Sequence, residues 1–254
     1  MRKTITLIAS LVFTLVCEAQ TIDIHMVNGT VVKFHPGDVD YVAFMENSTP
    51  DGVEAVDLGL PSGNKWANMN IGATKPDDYG LYFLWGETEG HTAGYYSFWT
   101  NYKWCSGSEM RLTKYCTDPN YGPRDGNGIL DTEDDAARVN WGGYWAMPSL
   151  EDVQELIANT TSEWVVVDGV NGRRFTSKTN SNSIFLPAAG RLYQDKAYDV
   201  GTTGFYKTTS LCTVLPTCVL SLVFESNWIG ADPQNGYSRD NANPIRPVLK
   251  FHNQ

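Results

Sequence analysis

Helical periodicity is confined to two short stretches of this chain of 254 residues, and that scarcity constrains the fold more than any other feature. The first, residues 132–139, opens with Thr132 and Asp135 at capping-box spacing, and Glu133 and Asp134 suit the positive end of a helix dipole. The second, SLEDVQELIAN at 149–159, repeats the spacing with Ser149 and Asp152. Its Leu150, Val153, Leu156 and Ile157 form one apolar stripe, and Pro148 stands just ahead of the cap, where it costs nothing. The other apolar runs, TSEWVVVDG, NSIFLPAAG, GFYKTTS, CVLSLVF and IRPVLKF, are strand-length and bounded by turn residues. Few helices, many short strands and long glycine-bearing loops predict the α+β class with a mixed or antiparallel sheet. No repeat at a fixed period is visible.

The chain begins with a leader-like segment. Arg2 and Lys3 precede an apolar stretch from Ile5 to Val16, too short for a stable bilayer span, and Cys17 with Ala19 offers a small-residue cleavage pair. Residues 1–19 therefore read as a signal peptide, with export to the periplasm, the outer surface or the medium and no transmembrane segment in the mature chain. The bulky Val16 disfavours lipidation at Cys17. Residues 20–50 read as a β-hairpin appendage: TIDIHMVNGTVVKF alternates apolar and polar around Asn28-Gly29. A three-residue loop 27–29 sets Ile24 opposite Val32 and Ile22 opposite Phe34, keeping one face apolar, whereas a two-residue turn would oppose Ile24 to Lys33. VDYVAFME is a candidate third strand, and the turn-rich NSTPDG at 47–52 marks the boundary to a main domain over 51–254.

The formal net charge is −10, and loss of the leader removes two cations and one anion, leaving the mature chain more acidic still. Such a chain is repelled by phosphate backbones, which argues against nucleic acid as a partner. Four cysteines remain after cleavage: Cys105, Cys116, Cys212 and Cys218. In an exported chain an even count suggests disulfides, and proximity favours Cys105 with Cys116 and Cys212 with Cys218 among three pairings. Each would stabilise by roughly 2 to 4 kcal/mol if unstrained. A zinc site lacks the C-x-x-C spacing.

Several phrases in order carry a family resemblance: VDLGLPSGNKWANMNIGA (56–73), DDYGLYFLWGET (77–88), YKWCSG with LTKYC (102–116), EDDAA with NWGGYWAMPSLEDVQEL (133–156), NSIFLPAAG (182–190) and IRPV (245–248). Together they resemble the Fibrobacter succinogenes major paralogous domain of Bacteroides-type exported proteins, over residues 53–251. That family is similar to the C-type-lectin-like fold in its sulfatase-modifying-factor variant, which implies a lectin-like scaffold with binding or adhesion at the cell surface. The chain departs from the family at Ala146, where an arginine is usual, and at Phe205-Tyr206-Lys207-Thr208-Thr209, where the family carries YWSSS. Formylglycine-generating relatives of the fold use a cysteine pair near the C-terminal end, and Cys212 and Cys218 lie too far upstream to inherit that role.

Two stretches are candidate sites. DGNGILDTEDD partly fits an EF-hand loop, with Asp125, Asn127, Ile129, Asp131 and Asp134 at ligand positions, but its first position falls on Pro123, and Asp118 is the nearest acid that could substitute. A turn followed by the acids of a helix start explains much of the same pattern and is the preferred reading; a weak structural calcium ion is the alternative. The long polar loop NWIGADPQNGYSRDNAN presents Trp228, Asp232, Asn235, Tyr237, Arg239 and Asp240 as candidate ligand contacts, against the simpler reading of a solvated loop. Trp66, Trp85, Trp141, Trp145 and Trp164 are expected in the core.

The four histidines are scattered, so no triad or metal-histidine cluster is suggested. Glu87 and Glu89 in WGETEG are the candidate carboxylate pair for glycoside hydrolysis. The preferred function is a non-catalytic exported binding or adhesion module for a glycan or surface protein. A carbohydrate-active enzyme is the second reading, and a structural component of a surface assembly, its hairpin augmenting a neighbour's sheet, is the third.

Overall fold

The computed structural model describes residues 22–25, 31–35, 49–231 and 236–250. The leader, Cys17, the 27–29 turn, the candidate third strand and residues 232–235, with Asp232 and Asn235, lie outside the described residues. The chain divides into two compact units, Met1–Met45 and Glu46–Gln254. In the first, Ile22–His25 pairs antiparallel with Val31–Phe34. The register sets Ile22 against Phe34 and Ile24 against Val32, the pairing that a three-residue loop requires.

The second unit is built mostly of antiparallel sheets with few helices. Helix α2 (Leu150–Asn159) follows the sequence closely: Ser149 caps it, and Ser149 and Asp152 exchange the reciprocal hydrogen bonds of a capping box. Helix α1 differs from expectation. Thr132–Asp134 is a 3-10 turn, and the α-helix runs Ala136–Trp141 with Asp135 as its cap, accepting from Ala137 N and Arg138 N. The cap shifts because the buried Asp135 carboxylate also accepts from Met147 N, so a tertiary contact chooses the helix start.

A three-stranded meander joins Thr160–Val167, Val170–Ser177 and Ser183–Pro187. Its first turn is Asp168-Gly169, with φ of 47° and 83°, the positive values a tight hairpin demands. A second hairpin pairs Gly204–Leu211 with Cys218–Phe224, and Ile229–Gly230 and Tyr237–Ser238 add to the latter strand. The register slips between Lys207 and Leu211. A short sheet brings remote segments together in the order Ala55–Val56, Lys65–Ala67, Val248–Leu249, Trp145–Ala146.

Three apolar clusters fill the unit. Trp66, Leu156, Phe175, Leu186, Tyr206 and Phe224 lie in the first; Trp85, Tyr115, Trp141, Trp145 and Val219 in the second; Tyr82, Trp99, Tyr102 and Leu192 in the third. Of the five tryptophans expected inside, four are buried, and Trp164 is partly buried against the first cluster. Two arginines are fully enclosed. Arg246, from the IRPV phrase, donates Nε to Asn70 Oδ1 and Nη1 to Ala67 O, holding the first strands of the unit to its last segment.

Candidate functional site

Backbone bridges bring three remote segments to one edge of the third cluster. Ser97 and Gln194 exchange N–H···O bonds of 3.0 and 2.8 Å, and the Ser97 hydroxyl donates to Leu192 O. Leu192 and Ala242 exchange another pair at 2.8 and 3.0 Å. The strand Arg191–Tyr193 is thus pinned between Phe98-Trp99 on one side and Asp240–Ala242 on the other. Gly190 enters it at φ +62°, where a Cβ would meet Tyr198 O at 2.1 Å, so no larger residue fits this approach.

Two adjoining clefts open at this edge. One, of about 260 Å³, is lined by Trp99, Arg191, Tyr193, Ser238, Asp240 and Asn241. The other, of about 360 Å³, is lined by Phe98, Trp99, Gly107, Ser108, Glu109 and Tyr193. Trp99 and Tyr193 belong to both, and Phe98 meets Tyr193 edge-on with ring centres 5.8 Å apart. Asp240 is buried; its Oδ1 accepts from the Ser238 hydroxyl, while Oδ2 has no hydrogen-bond partner, and neither has Asn241 Oδ1. Burial raises the Asp240 carboxyl above the usual carboxylate range. The Arg191 guanidinium is engaged by Asp199 at 3.4 Å and lies over the Phe205 ring.

Lys207, paired with Ser221 at the last position before the register slip, is buried. Its ammonium donates to the carbonyls of Arg239 and Asn241, the residues on either side of Asp240. Complete burial lowers its pKa to about 7, against the opposing pull of Asp240.

The expected ligand residues are dispersed by this geometry. Asp240 lines the first cleft. Tyr237 is half-buried and edge-on to Phe205, with ring centres 5.0 Å apart. Trp228 is 49% exposed, its indole lying across Gly230. Arg239 corrects the expectation of a solvent-facing ligand contact: it is fully buried, with Nη1 donating to Tyr115 O and Pro216 O and Nη2 to Lys114 O. Its guanidinium lies over the rings of Trp85 and Tyr102, at 5.6 and 5.3 Å. An arginine in a polar loop reads as solvated until the carbonyls it gathers are known. Trp99, Arg191 and Tyr193 were not singled out from sequence; their only local signal is aromatic density beside turn residues.

The acidic stretch folds around a lysine. Asp125 accepts from Cys116 N and Asn127 N through Oδ1 and from Tyr115 N through Oδ2. Asn127 bonds Asp131 Oδ1 through its amide and accepts from Ile129 N, and Ile129 is exposed. Lys114 Nζ stands 2.6 Å from both Asp131 Oδ2 and Asp134 Oδ2. Burial pulls the Lys114 pKa down, but those two bonds outweigh it and hold the ammonium protonated. Asp118 caps the turn Pro119–Tyr121. Among the described residues no cluster of three or more His, Cys, Asp or Glu is arranged to hold a metal ion. This donor set suits an ammonium, with the carboxylates and Asn127 already spent, and does not fit calcium as it stands. Adding millimolar calcium, or chelating it, is accordingly expected to move the thermal unfolding midpoint by less than about 1 °C, since only a ligand preferring the folded chain stabilises it. A rise of several degrees with calcium would restore the EF-hand reading.

Glu87 and Glu89 do not form an enclosed pair. Glu87 is half-buried, its carboxyl raised by burial and accepting from Lys103 N at 2.8 Å, while Glu89 is exposed. Neither lines the paired clefts. The Cys105 thiol donates to Trp99 O and the Cys116 thiol to Asp118 O, and both are free thiols. Cys212 and Cys218 meet across a hairpin end, where Cys212 N donates to Cys218 O at 2.9 Å and Gly236 sits against both Cβ atoms.

No helix among the described residues is long and apolar enough to cross a membrane. Compared with family models, curated proteins and solved structures, the chain matches none.

Proposed function

We propose that the chain is an exported, non-catalytic binding or adhesion module of the Fibrobacter succinogenes major paralogous kind, with a C-type-lectin-like main domain, and that it takes a glycan in the paired clefts. The observation that carries this reading is the adjoining pair of clefts sharing Trp99 and Tyr193, with the buried Asp240 along one of them. Aromatic faces beside hydrogen-bonding groups are what a sugar ring offers a partner for: apolar C–H faces against the rings, hydroxyls against the polar side chains. Oxidative pairing of Cys212 with Cys218 belongs to the same exported reading.

Tyr193 gives the sharpest test because it is half-buried and lines both clefts. Tyr193→Ala should weaken glycan binding about tenfold, the equivalent of about 1.4 kcal/mol. A glycan array followed by calorimetry on the best hit reads the effect. Unchanged affinity would remove the clefts from the binding surface, and hydrolytic turnover of a polysaccharide would replace the binding reading with an enzymatic one.

A further inference from the structure

The charges that border the first cleft cancel in pairs. Arg191 faces Asp199, with Nε 3.4 Å from Oδ2. Lys207 donates to the carbonyls on either side of Asp240, and near neutral pH these two groups compete for one proton, since burial raises the carboxyl and lowers the ammonium. Whichever group holds the proton, the pair nets to zero.

Hydrogen-bonding capacity, by contrast, is left over. Asp240 Oδ2 and Asn241 Oδ1 are acceptors without a donor, and Arg191 Nε is a donor without an acceptor, because its approach to Asp199 is an ion pair and not a hydrogen bond. Asp240 and Asn241 are 1% and 6% exposed, so water does not make up the loss. Among the described residues eleven buried side-chain polar atoms lack a partner, and three of them belong to the six residues that line this one cleft. Such atoms are rare in folded proteins, and here they gather where a ligand would supply the missing bonds.

A group that only donates or only accepts satisfies one side of this set, whereas a hydroxyl does both. It donates to a carboxylate or amide oxygen, accepts from a guanidinium, and reverses its role where the carboxyl holds the proton. Hydroxyls on neighbouring ring carbons do this for several atoms at once and bring no charge into a cleft that has none to offset it. The cleft, of about 260 Å³, lies just below the usual range for ligand pockets and suits a single sugar ring. The next ring of a chain would pass into the second cleft across Trp99 and Tyr193, which the two share.

We infer that the first cleft holds one neutral sugar residue by two neighbouring hydroxyls, which donate to Asp240 and Asn241 and accept from Arg191. The assignment rests on the glycan reading above. In a chain linked through C1 and C4 that crosses both clefts, the neighbouring pair is at C2 and C3.

The test is calorimetry on the full chain at neutral pH with β-1,4-linked tetramers of glucose and of mannose, and with the 2-deoxy tetramer that is the common analogue of both. The better of the two hydroxylated tetramers is expected to bind at least about tenfold more tightly than the deoxy analogue, equivalent to about 1.4 kcal/mol. Arg191→Met keeps an unbranched stem against Phe205 and removes the donors. It should weaken the better tetramer about tenfold and the deoxy analogue about threefold or less, because variant and analogue delete two ends of the same bonds. Should R191M fold poorly, the comparison of ligands on the unaltered chain decides by itself. Tetramers of glucosamine and of glucuronic acid are expected to bind no more tightly than the better neutral one. A deoxy analogue that matches the hydroxylated tetramers, equal losses on both through R191M, or a charged tetramer that binds tenfold more tightly than the neutral ones overturns the inference and leaves glycan binding standing. Binding of none of these tetramers overturns both.

Discussion

Arg239→Ala is expected to lower the unfolding free energy by about 3 to 4 kcal/mol, a large share of the stability of an ordinary domain. The guanidinium donates to three carbonyls, those of Lys114, Tyr115 and Pro216, and fills the space between the rings of Trp85 and Tyr102. Truncation leaves those carbonyls without these donors and opens a cavity the rigid indole cannot close. For a unit of this size the midpoint should fall by roughly 8 to 14 °C. Arg239→Lys should recover less than half, because one ammonium on a flexible stem cannot reproduce a planar fork reaching three acceptors. Urea unfolding of the three proteins decides the matter. A ligand contact on a solvated loop would predict a change under about 0.5 kcal/mol, and that result would return Arg239 to the surface role its sequence context suggests.

The second large effect is a pH dependence that comes from Lys207. Its folded pKa is lowered by burial to about 7, whereas an unfolded lysine titrates near about 10.4. Between those values the unfolded chain holds the proton and the folded chain does not, so stability rises with pH across that window. Below about pH 7 both states are protonated and the cost of a buried charge is fully present. From about pH 7 to about pH 9.5 the contribution of Lys207 alone should rise by roughly 3 kcal/mol, at about 1.4 kcal/mol per unit, and is read as the difference between parent and variant. Lys207→Met should be more stable than the parent at neutral pH and should lack this rise, while the Cys105 and Cys116 thiols, raised by burial, pull stability down in both proteins once an unfolded thiol ionises near about pH 8.5. Above about pH 10 the fall should steepen in both proteins, because burial raises the phenols of Tyr82, Tyr102, Tyr115 and Tyr206 and the unfolded chain then loses those protons first. The Asp240 carboxyl, raised by burial, faces the Lys207 ammonium and opposes the lowering of its pKa. Equal slopes for parent and variant in chemical denaturation from neutral to mildly alkaline pH would show that Lys207 is not held in the interior.

What the sequence disclosed depended on whether the deciding contacts were local. The cap of α2 was legible because Ser149 and Asp152 settle it between themselves within three residues. The hairpin register at Ile22 and Phe34 was legible because alternation fixes which face is apolar. Helix α1 was misplaced by several residues because Asp135 answers to Met147, twelve residues on and across a fold that local spacing does not report. The strand Val170–Ser177 escaped notice although Asp168-Gly169 announced its turn, because VNGRRFTS carries polar residues where apolar ones were sought. The clefts were harder still. Trp99 and Tyr193 stand 94 positions apart and are brought together by contacts such as the bridge between Ser97 and Gln194, which local spacing does not report. Of the four described residues among the six chosen from the polar loop, Asp240 alone lines them.

The small sheet that places Val248–Leu249 between Lys65–Ala67 and Trp145–Ala146 bears on when the main unit can form. Vectorial synthesis delivers Lys65–Ala67 and Trp145–Ala146 first and withholds the strand that joins them until both have long been made. Contacts this distant in sequence are slow to close, so the nascent polypeptide emerges without a finished core and stays threadable. Until Val248–Leu249 arrives, nothing in this sheet ties Lys65–Ala67 to Trp145–Ala146, so its arrival is the event that locks the assembly shut.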